Sequence, residues 1–316
     1  MDVVTIGESM MVFSPIRTGY LRHAHTFQKG IAGAESNVAI GLSRLGHKVG
    51  WGSRVGEDEF GTEIISFLRG EGVDVSQVIQ DDSAPTGIYF KELLRPEEIR
   101  VYYYRQNSAA SRMSVQDLNE EYIASAKYLH LTGITPALSE SCRDTVWEAI
   151  RIAKKNGVKI VFDPNLRRKL WKDENEAKRL LVELSSYADI VLPGVSEGEF
   201  LFGECEKEVM AKRFLKNGSS LVVLKLGEEG AYYLSDENKG YVPAYDVKQV
   251  VDPVGAGDGF AAGFLSGLLE QKSIYDAVYK GCVVGAAVTM ANGDVEGLPD
   301  QQSLLSLLSQ QEDVLR

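Results

Sequence analysis

The stretch DPVGAGDGF, at residues 252–260, places a single acid among small residues. Gly255, Ala256 and Gly257 let a phosphate approach the backbone, and their N–H groups can form an anion cradle with the first turn of a following helix. Asp258 stands beside this cradle, where its charge should repel a phosphate. Two interpretations are open: the carboxylate caps the helix, or it takes part in a reaction at the bound phosphate.

A second cluster of Gly and Asn residues lies early in the chain, in AGAESNVAIGLSRLG at 32–46. Gly33 precedes an apolar-periodic helix, and Asn37 lies in its first turn. Because Asn is unfavourable inside a helix, Asn37 either points at a polar partner or acts as a simple cap. The following RVGEDEFG, at 54–61, is typical of a strand end and a turn.

Two common nucleotide-binding motifs are missing from the sequence. Phe260 occupies the position of the third glycine in G-x-G-x-x-G, and the dipeptide Gly-Lys of a P-loop occurs nowhere. The chain is therefore neither a typical dinucleotide-binding oxidoreductase nor a P-loop NTPase.

Short apolar runs alternate with longer amphipathic segments along the chain, which predicts βαβ units and an α/β fold with a mostly parallel sheet flanked by helices. The predicted strands are 3–7, 128–133, 159–164, 189–194 and 221–227. The predicted helices are 34–46, 58–72, 139–156, 173–187, 206–218, 259–271 and about 275–291.

One part of the chain breaks this alternation. Residues 86–94 and 99–105 are two β-rich runs joined by RPEE, which predicts an antiparallel hairpin. Together with the β-like segment 13–30, the hairpin predicts a small β-flap over the carboxyl ends of the strands, where ligands bind. We therefore expect a single domain over 1–316, with a lid formed by about 11–30 and 86–108.

The composition limits the classes of partner. A net charge of −11 with no basic stripe argues against nucleic acid, and an anionic substrate would need local arginines. The three dispersed cysteines indicate a reducing, cytoplasmic setting. No basic region followed by an apolar run marks a signal peptide, and no apolar run is long enough for a membrane span.

Taken together, AGAESNVA with GEDEFG, and DPVGAGDGFAAGFL at 252–265, resemble the two signatures of the ribokinase-like (PfkB) carbohydrate kinases, in the family's order and at its spacing. The resemblance runs from the first strand to about EGLPD at 296–300. It implies an ATP-dependent kinase with a Rossmann-like core and a β-sheet lid. It also implies that Asp258 is the catalytic base and that Gly255, Ala256 and Gly257 hold the charge on the transferred phosphoryl group.

The same resemblance implies further nucleotide and metal contacts. KLGEEG, at 225–230, is similar to the family's ATP-binding loop, so Lys225, Gly227 and Gly230 are candidates. The family's N-x-x-E motif, which orients hydrated Mg²⁺, corresponds to Gly194–Glu197, with the acid kept and the Asn absent. Helix 281–291 resembles the wall of the adenine pocket, although ordinary helix packing explains it equally well.

The lid strand VYYYR carries information about the substrate. Strand alternation places Tyr103 and Arg105 on one face, and Arg167 follows a strand end in DPNLR. Both arginines suit a carboxylate, or both are solvated surface residues. Residues 102–114, with DPNLR and ANGDVEGLP, resemble the family members that phosphorylate 2-keto-3-deoxygluconate. That resemblance implies sugar-acid contacts from Gly33, Asn37, Tyr89, Tyr103, Arg105, Arg167 and Asp294, and a nucleotide contact from Asn165.

Alternative functions remain open from the sequence. A fructokinase or another hexose kinase of the same family is the nearest alternative, and a sugar- or nucleoside-binding protein without activity is a more distant one. The apolar residues Ile88, Phe90 and Val101 on the flap either form a homo-oligomer through the lid or cover the sheet.

Overall fold

The computed structural model of the chain describes residues 1–95 and 98–314, which form two sheets and ten α-helices. The strands are β1 (Val3–Ile6), β2 (Met10–Pro15), β3 (Phe27–Ala32), β4 (Val49–Gly56), β5 (Val78–Asp81), β6 (Ile88–Arg95), β7 (Glu98–Tyr104), β8 (Tyr128–Thr132), β9 (Lys159–Asp163), β10 (Ile190–Val191), β11 (Leu221–Lys225), β12 (Ala231–Ser235) and β13 (Lys239–Val242). The helices are α1 (Ala34–Arg44), α2 (Glu59–Gly70), α3 (Glu120–Ala124), α4 (Glu140–Lys155), α5 (Glu174–Tyr187), α6 (Val195–Phe202), α7 (Lys207–Lys216), α8 (Ala256–Leu269), α9 (Ile274–Thr289) and α10 (Gln301–Val314).

The large sheet has the strand order β13-β12-β11-β10-β9-β8-β1-β4-β5. Its pairs from β11 to β5 are parallel, and β12 and β13 extend the β11 edge antiparallel. This confirms the predicted mostly parallel sheet flanked by helices. The sequence prediction missed the short strands β5, β12 and β13, and of β4 it identified only the end, at residues 54–61.

The small sheet has the order β3-β2-β6-β7 and is mixed, because β2 and β6 pair in parallel while the two outer pairs are antiparallel. Strands β6 and β7 confirm the predicted hairpin. Within its RPEE connection, residues 96–97 lie outside the described residues. Of the β-like segment 13–30, the two ends belong to β2 and β3, and residues 21–23 between them form a 3-10 turn.

Helix α8 begins three residues earlier than the predicted 259–271. Its N-cap is Gly255, in the left-handed conformation with φ of +80°, and Ala256 is the first helical residue. The prediction of the helix start was wrong because it assigned Gly255 and Gly257 to the preceding loop. Gly255 adopts the left-handed conformation needed at the cap, and Gly257 is part of the first helical turn. Asp258 is therefore a helical residue.

Two apolar clusters, both drawing on strands of the central sheet, form the core. One includes Trp51 and Phe264 with residues of α1, α8 and α9, and the other includes Phe162 and Phe214 with residues of α4, α5 and α7. Helices α8 and α9 approach so closely that a Cβ on Gly267 would lie 2.6 Å from the Cα of Ala277. Close helix packing therefore explains why α9 is rich in small residues. The role of residues 281–291 as a wall of the adenine pocket stays a prediction.

Cys142, Cys205 and Cys282 are free thiols. Throughout 1–95 and 98–314, no helix is both long and apolar enough to cross a bilayer.

Candidate active site

Asp258 lies in the first turn of α8, directly behind the glycine loop, with 8% of its surface exposed. Gly255, which has no side chain, is the helix cap, so the carboxylate of Asp258 does not have the capping role that the sequence left open. The N–H of Ala256 donates only a long bond of 3.4 Å to the carbonyl of Pro253. The loop therefore retains donors for an anion at the helix N-terminus.

Two amide side chains approach the two oxygens of the Asp258 carboxylate. Asn37 Nδ2 donates to Oδ2 at 2.8 Å, and Asn165 Nδ2 lies 3.5 Å from Oδ1. Asn37 is buried in the first turn of α1, whose cap is Gly33, and its Oδ1 lies 3.4 Å from the Gly33 N–H. Asn37 is thus directed at a polar partner, as one of the two sequence interpretations predicted.

The surroundings of Asp258 favour its neutral form. Burial is the main cause, and it raises the pKa of Asp258 from 3.8 to about 7. The hydrogen bond from Asn37 and the charge of Arg167 oppose the rise, and the charges of Asp163 and Asp294 add to it. A carboxylate with a pKa near neutrality is a better proton acceptor than an ordinary one and is still ionised at physiological pH in part of the molecules.

Lys225 connects the glycine loop to a pair of acids. Its Nζ lies 2.5 Å from Asp163 Oδ2, and a Cβ on Gly257 would lie 3.7 Å from the same nitrogen. Burial alone would lower the pKa of Lys225, but the carboxylates of Asp163 and Glu197 raise it. The ammonium therefore stays charged beside the loop. Sequence reasoning missed Asp163, although it ends a buried strand, where ligands collect.

Glu197 is held by two backbone groups. Its carboxylate accepts the N–H of Gly194 at 2.7 Å and the N–H of Leu166 at 2.9 Å. Burial, with the charge of Asp163, raises the pKa of Glu197. The described residues contain no ready-made group of three His, Cys, Asp or Glu ligands for a metal. A carboxylate already bonded to backbone N–H groups, as Glu197 is, fits a Mg²⁺ ion that keeps its waters and takes its other ligands from phosphates.

Gly227 and Gly230 shape the turn between β11 and β12, with φ values of +62° and +108°. A Cβ on Gly230 would lie 2.5 Å from the backbone nitrogen of Ala244, so a larger residue is excluded there. Gly230 packs against the backbone of residues 242–244. Of the predicted residues Lys225, Gly227 and Gly230, Lys225 is the one whose side chain lies beside the glycine loop.

Two tyrosines, Tyr89 on β6 and Tyr103 on β7, belong to the small sheet. Tyr89 and Tyr103 are paired across the strands, and their ring centroids are 5.5 Å apart. The Arg105 guanidinium lies 5.5 Å from the Tyr103 ring, which confirms the predicted shared face. Burial raises the pKa of Tyr89, with a further contribution from Asp294. Its hydroxyl is therefore a neutral hydrogen-bond donor.

The two candidate arginines are in different environments. Arg105 is buried and forms an ion pair with Glu8, which is also buried and accepts a hydrogen bond from Ser108 at 2.7 Å. Arg167 is exposed, follows β9, and lowers the pKa of both Asp258 and Tyr89 through its charge. Within the described residues it makes no ion pair. Of these two arginines, Arg167 is therefore the one whose charge has no ion-pair partner among the described residues. Glu8 was missed in the sequence, although it follows β1.

Asp294 lies in the loop after α9, where its buried carboxylate is 3.4 Å from the Nζ of Lys91. The structure thus brings Asn37, Asn165 and Lys225 to the Asp258 loop and places the charges of Arg167 and Asp294 close enough to affect it. Tyr89, Tyr103 and Arg105 lie together on the small sheet and the residue that follows β7.

The sequence profile described as pfkB family carbohydrate kinase matches residues 1–301. The chain is 45% identical over 315 residues to the 2-dehydro-3-deoxygluconokinase of Bacillus subtilis (strain 168), covering 99% of this chain and 97% of the relative. It is 36% identical to the 2-dehydro-3-deoxygluconokinase of Thermoproteus tenax, covering 97% and 94%. It is also 34% identical to Fructokinase-1 of Zea mays, covering 97% of each.

Solved structures show the same architecture. The PfkB protein from Polaromonas sp. JS666 superposes with a TM-score of 0.89 at 41% identity, covering 97% of this chain and 99% of that one. A putative Ribokinase II from E. coli, solved in complex with ATP and Mg²⁺, gives a TM-score of 0.91 at 27% identity, covering 98% and 99%.

Proposed function

The chain belongs to the pfkB family of carbohydrate kinases, and we propose that it transfers the γ-phosphoryl group of ATP to the terminal hydroxyl of 2-keto-3-deoxygluconate. The product is 2-keto-3-deoxy-6-phosphogluconate. The observation that carries this proposal is the position of Asp258, which lies in the first turn of the helix that Gly255 caps and close enough to Arg167 for the charge of the arginine to lower its pKa. The similarity to two kinases named for this substrate supports it.

Asp258 is the general base in this proposal. The substrate hydroxyl passes its proton to the carboxylate while its oxygen bonds to the γ-phosphorus. The bond between that phosphorus and the bridging oxygen breaks, and ADP leaves with the electron pair. The Asn37 amide donates a hydrogen bond to the carboxylate at 2.8 Å. This bond orients the carboxylate to accept the proton while the hydroxyl oxygen attacks the γ-phosphorus in line.

The glycine loop and Lys225 are the groups proposed to neutralise the phosphate charge. The N–H groups of Gly255, Ala256 and Gly257 face the transferred group, and Lys225 supplies a fixed positive charge beside them. Glu197 would hold a hydrated Mg²⁺ ion through water, and the ion would supply positive charge to offset that of the phosphates. The remaining nucleotide contacts are proposed for Asn165, Gly227 and Gly230.

The sugar acid is proposed to lie between the lid and the core. Arg167 binds the carboxylate, because its guanidinium is exposed and unpaired. Arg105, already paired with Glu8, offers its remaining N–H groups to neutral oxygens. The other proposed sugar contacts are Gly33, Asn37, Tyr89, Tyr103 and Asp294. Since Tyr89 and Tyr103 lie on the small sheet while Asn37 and Asp294 belong to the core, the small sheet acts in this proposal as a lid that closes over the substrate.

Fructose phosphorylation is the alternative, and the similarity to a plant fructokinase is the observation in its favour. Fructose has no carboxylate and leaves Arg167 without a partner, so the sugar acid is the better fit.

Oligomer formation through the lid stays a prediction. Phe90 stacks on Phe13 at 5.2 Å, and Val101 packs on the lid's own apolar cluster, so these two residues cover the sheet. Tyr102 and Tyr104 remain 41% and 64% exposed on the edge strand β7, and they are the surface available for a second copy. A cytoplasmic location also stays a prediction.

A panel assay tests the function. The purified chain is mixed with ATP and Mg²⁺, and ADP release is measured for 2-keto-3-deoxygluconate, gluconate, fructose and ribose. The proposal expects the first to be the best substrate, with the phosphate on its terminal carbon by mass spectrometry. Turnover of fructose or ribose in preference to every sugar acid contradicts it.

A further inference from the structure

A buried lysine links the lid to the glycine loop. Lys91 is on β6, two residues after Tyr89 and on the same face of the small sheet. Its Nζ lies 3.4 Å from Asp252 Oδ2 and 3.4 Å from Asp294 Oδ1. The three side chains are 6%, 11% and 8% exposed, so the cluster is shielded from solvent.

Both acids of this cluster shape the loop that precedes α8. Asp252 accepts the N–H of Val254 through Oδ1 at 3.0 Å, and its own N–H donates to the carbonyl of Thr289 at 3.2 Å. The backbone of Asp294 lies against Gly255, since a Cβ there would be 2.7 Å from the Asp294 carbonyl oxygen. The two carboxylates that bind Lys91 therefore belong to the segments that hold the glycine loop in place.

The cluster depends on the lysine for its charge balance. Burial raises the pKa of Asp294, the charge and hydrogen bond of Lys91 oppose this rise, and the charge of Asp252 adds to it. Lys91 is the cation that pairs with these two acids in the described part of the chain. If the lid moves away, two buried carboxylates lose their common partner, and a buried charge without a partner is unfavourable. The loop and the lid are thus held in one arrangement.

We propose that Lys91 is a positioning residue through which the lid sets the geometry of the phosphate loop. Resting on the proposed function, this predicts that the sugar acid, bound next to Lys91 at Tyr89, and the nucleotide phosphates, bound at Gly255–Gly257, strengthen each other's binding. Such coupling is reciprocal and typically amounts to about 5- to 150-fold in affinity.

The chain offers a matched control on the same sheet. Lys29, on β3, forms an ion pair with Glu63 of α2 at 2.5 Å, and the two side chains are 47% and 37% exposed. This pair also joins the lid to the core, but it is solvated and distant in sequence from the glycine loop. Lys29→Met therefore removes a lid-to-core ion pair without disturbing the buried cluster.

The first experiment needs no sugar. Hydrogen exchange of a peptide spanning 250–260 is compared in the full chain and in Lys91→Met, Lys91→Arg and Lys29→Met. We expect exchange at least about tenfold faster in Lys91→Met alone, with Lys91→Arg close to wild type because it keeps the charge. Equal exchange in Lys91→Met and wild type overturns the proposal. If Lys91→Met does not fold, the charge-balanced Lys91→Met/Asp252→Asn variant replaces it, with the same expectation and the same contradicting result.

The second experiment measures the coupling itself. The affinity of a non-hydrolysable ATP analogue with Mg²⁺ is determined by calorimetry, with and without saturating 2-keto-3-deoxygluconate. The sugar should tighten nucleotide binding at least about fivefold in wild type, Lys91→Arg and Lys29→Met, and less than twofold in Lys91→Met. Coupling of wild-type size in Lys91→Met overturns the proposal. Failure of the proposed function is distinct, because the wild-type chain would then neither bind nor phosphorylate the sugar while the exchange experiment still decides the role of Lys91.

Discussion

The side-chain amide of Asn37 lies 2.8 Å from the carboxylate of Asp258, although 221 positions separate the two residues in the chain. The contact joins the first turns of α1 and α8, the two helices that carry the family's signature residues. It places a hydrogen-bond donor on a buried acid with a pKa near neutrality, and this pair is the centre of the proposed mechanism.

Replacing Asp258 with Asn tests the general base. Asn keeps the shape of the side chain and cannot accept the proton, and the loss of a general base typically costs about 10²–10⁴ in rate. We expect kcat to fall by this factor while the affinity for an ATP analogue changes little. Steady-state kinetics and calorimetry measure the two quantities, and Asp144→Asn, an exposed acid on α4, is the control. More than about a tenth of wild-type kcat in Asp258→Asn contradicts the role.

The pH dependence of kcat/KM reports the ionisation of the free enzyme. Because the pKa of Asp258 is raised to about 7, the carboxylate becomes protonated and inactive as the pH falls below that value. We predict an acidic limb with an apparent pKa of about 7. In Asn37→Ala the limb should move about 1–2 pH units higher, since the lost bond to a charged group is worth about 1.5–3 kcal/mol. A limb near pH 4 in wild type, or an unchanged limb in the variant, is the contrary result.

The same pKa predicts a cost in stability. Between pH 3.8, the unfolded pKa of Asp258, and about pH 7, its folded pKa, the folded state binds the proton more tightly than the unfolded state does. The free energy of unfolding therefore falls as the pH rises through this window. At about 1.36 kcal/mol per pK unit, the ionised carboxylate costs up to about 4 kcal/mol above pH 7. Asp258→Asn should therefore melt at a higher temperature than wild type at pH 8, with a smaller difference at pH 5. A variant that is less stable than wild type at pH 8 argues against this account.

The two arginines should respond differently to removal. Arg167→Ala is expected to lower kcat/KM for 2-keto-3-deoxygluconate about ten- to a hundredfold, the worth of a charge-assisted hydrogen bond, and to affect fructose much less. Arg105→Ala leaves Glu8 buried without its partner, so it should reduce stability and harm both sugars alike. The exposed neighbour Arg168, which is 63% exposed, provides the control Arg168→Ala. An equal fall in kcat/KM for both sugars in Arg167→Ala would show that Arg167 does not bind the carboxylate.

Much of this fold is predictable because its signals are local. Continuous apolar strands that end in Gly or Pro identified the parallel sheet, and the turn between β6 and β7 identified the hairpin. The start of α8 was not predictable by propensity, since the left-handed Gly255 initiates a helix whose next residues include another glycine. Strands β12 and β13 were missed because segments of five and four residues carry little apolar periodicity.

The sequence proposed the individual residues of the candidate site but not their arrangement. The Gly-rich motifs located Asp258 and Asn37, and the end of β9 pointed to Arg167. Glu8 and Asp163 follow or end buried strands, so their position was a usable signal. Lys91 gave none, because a lysine in a lid strand has the same pattern as a solvated edge charge. Its burial arises only when the lid lies on Asp252 and Asp294.

A competition experiment tests the central claim most directly. Equal concentrations of 2-keto-3-deoxygluconate and fructose share a limiting amount of ATP, and the ratio of the two phosphorylated products gives the ratio of their kcat/KM values. The account predicts that 2-keto-3-deoxy-6-phosphogluconate exceeds fructose phosphate by at least about tenfold in wild type, and that the excess shrinks toward unity in Arg167→Ala. A product mixture dominated by fructose phosphate in the wild-type reaction contradicts it.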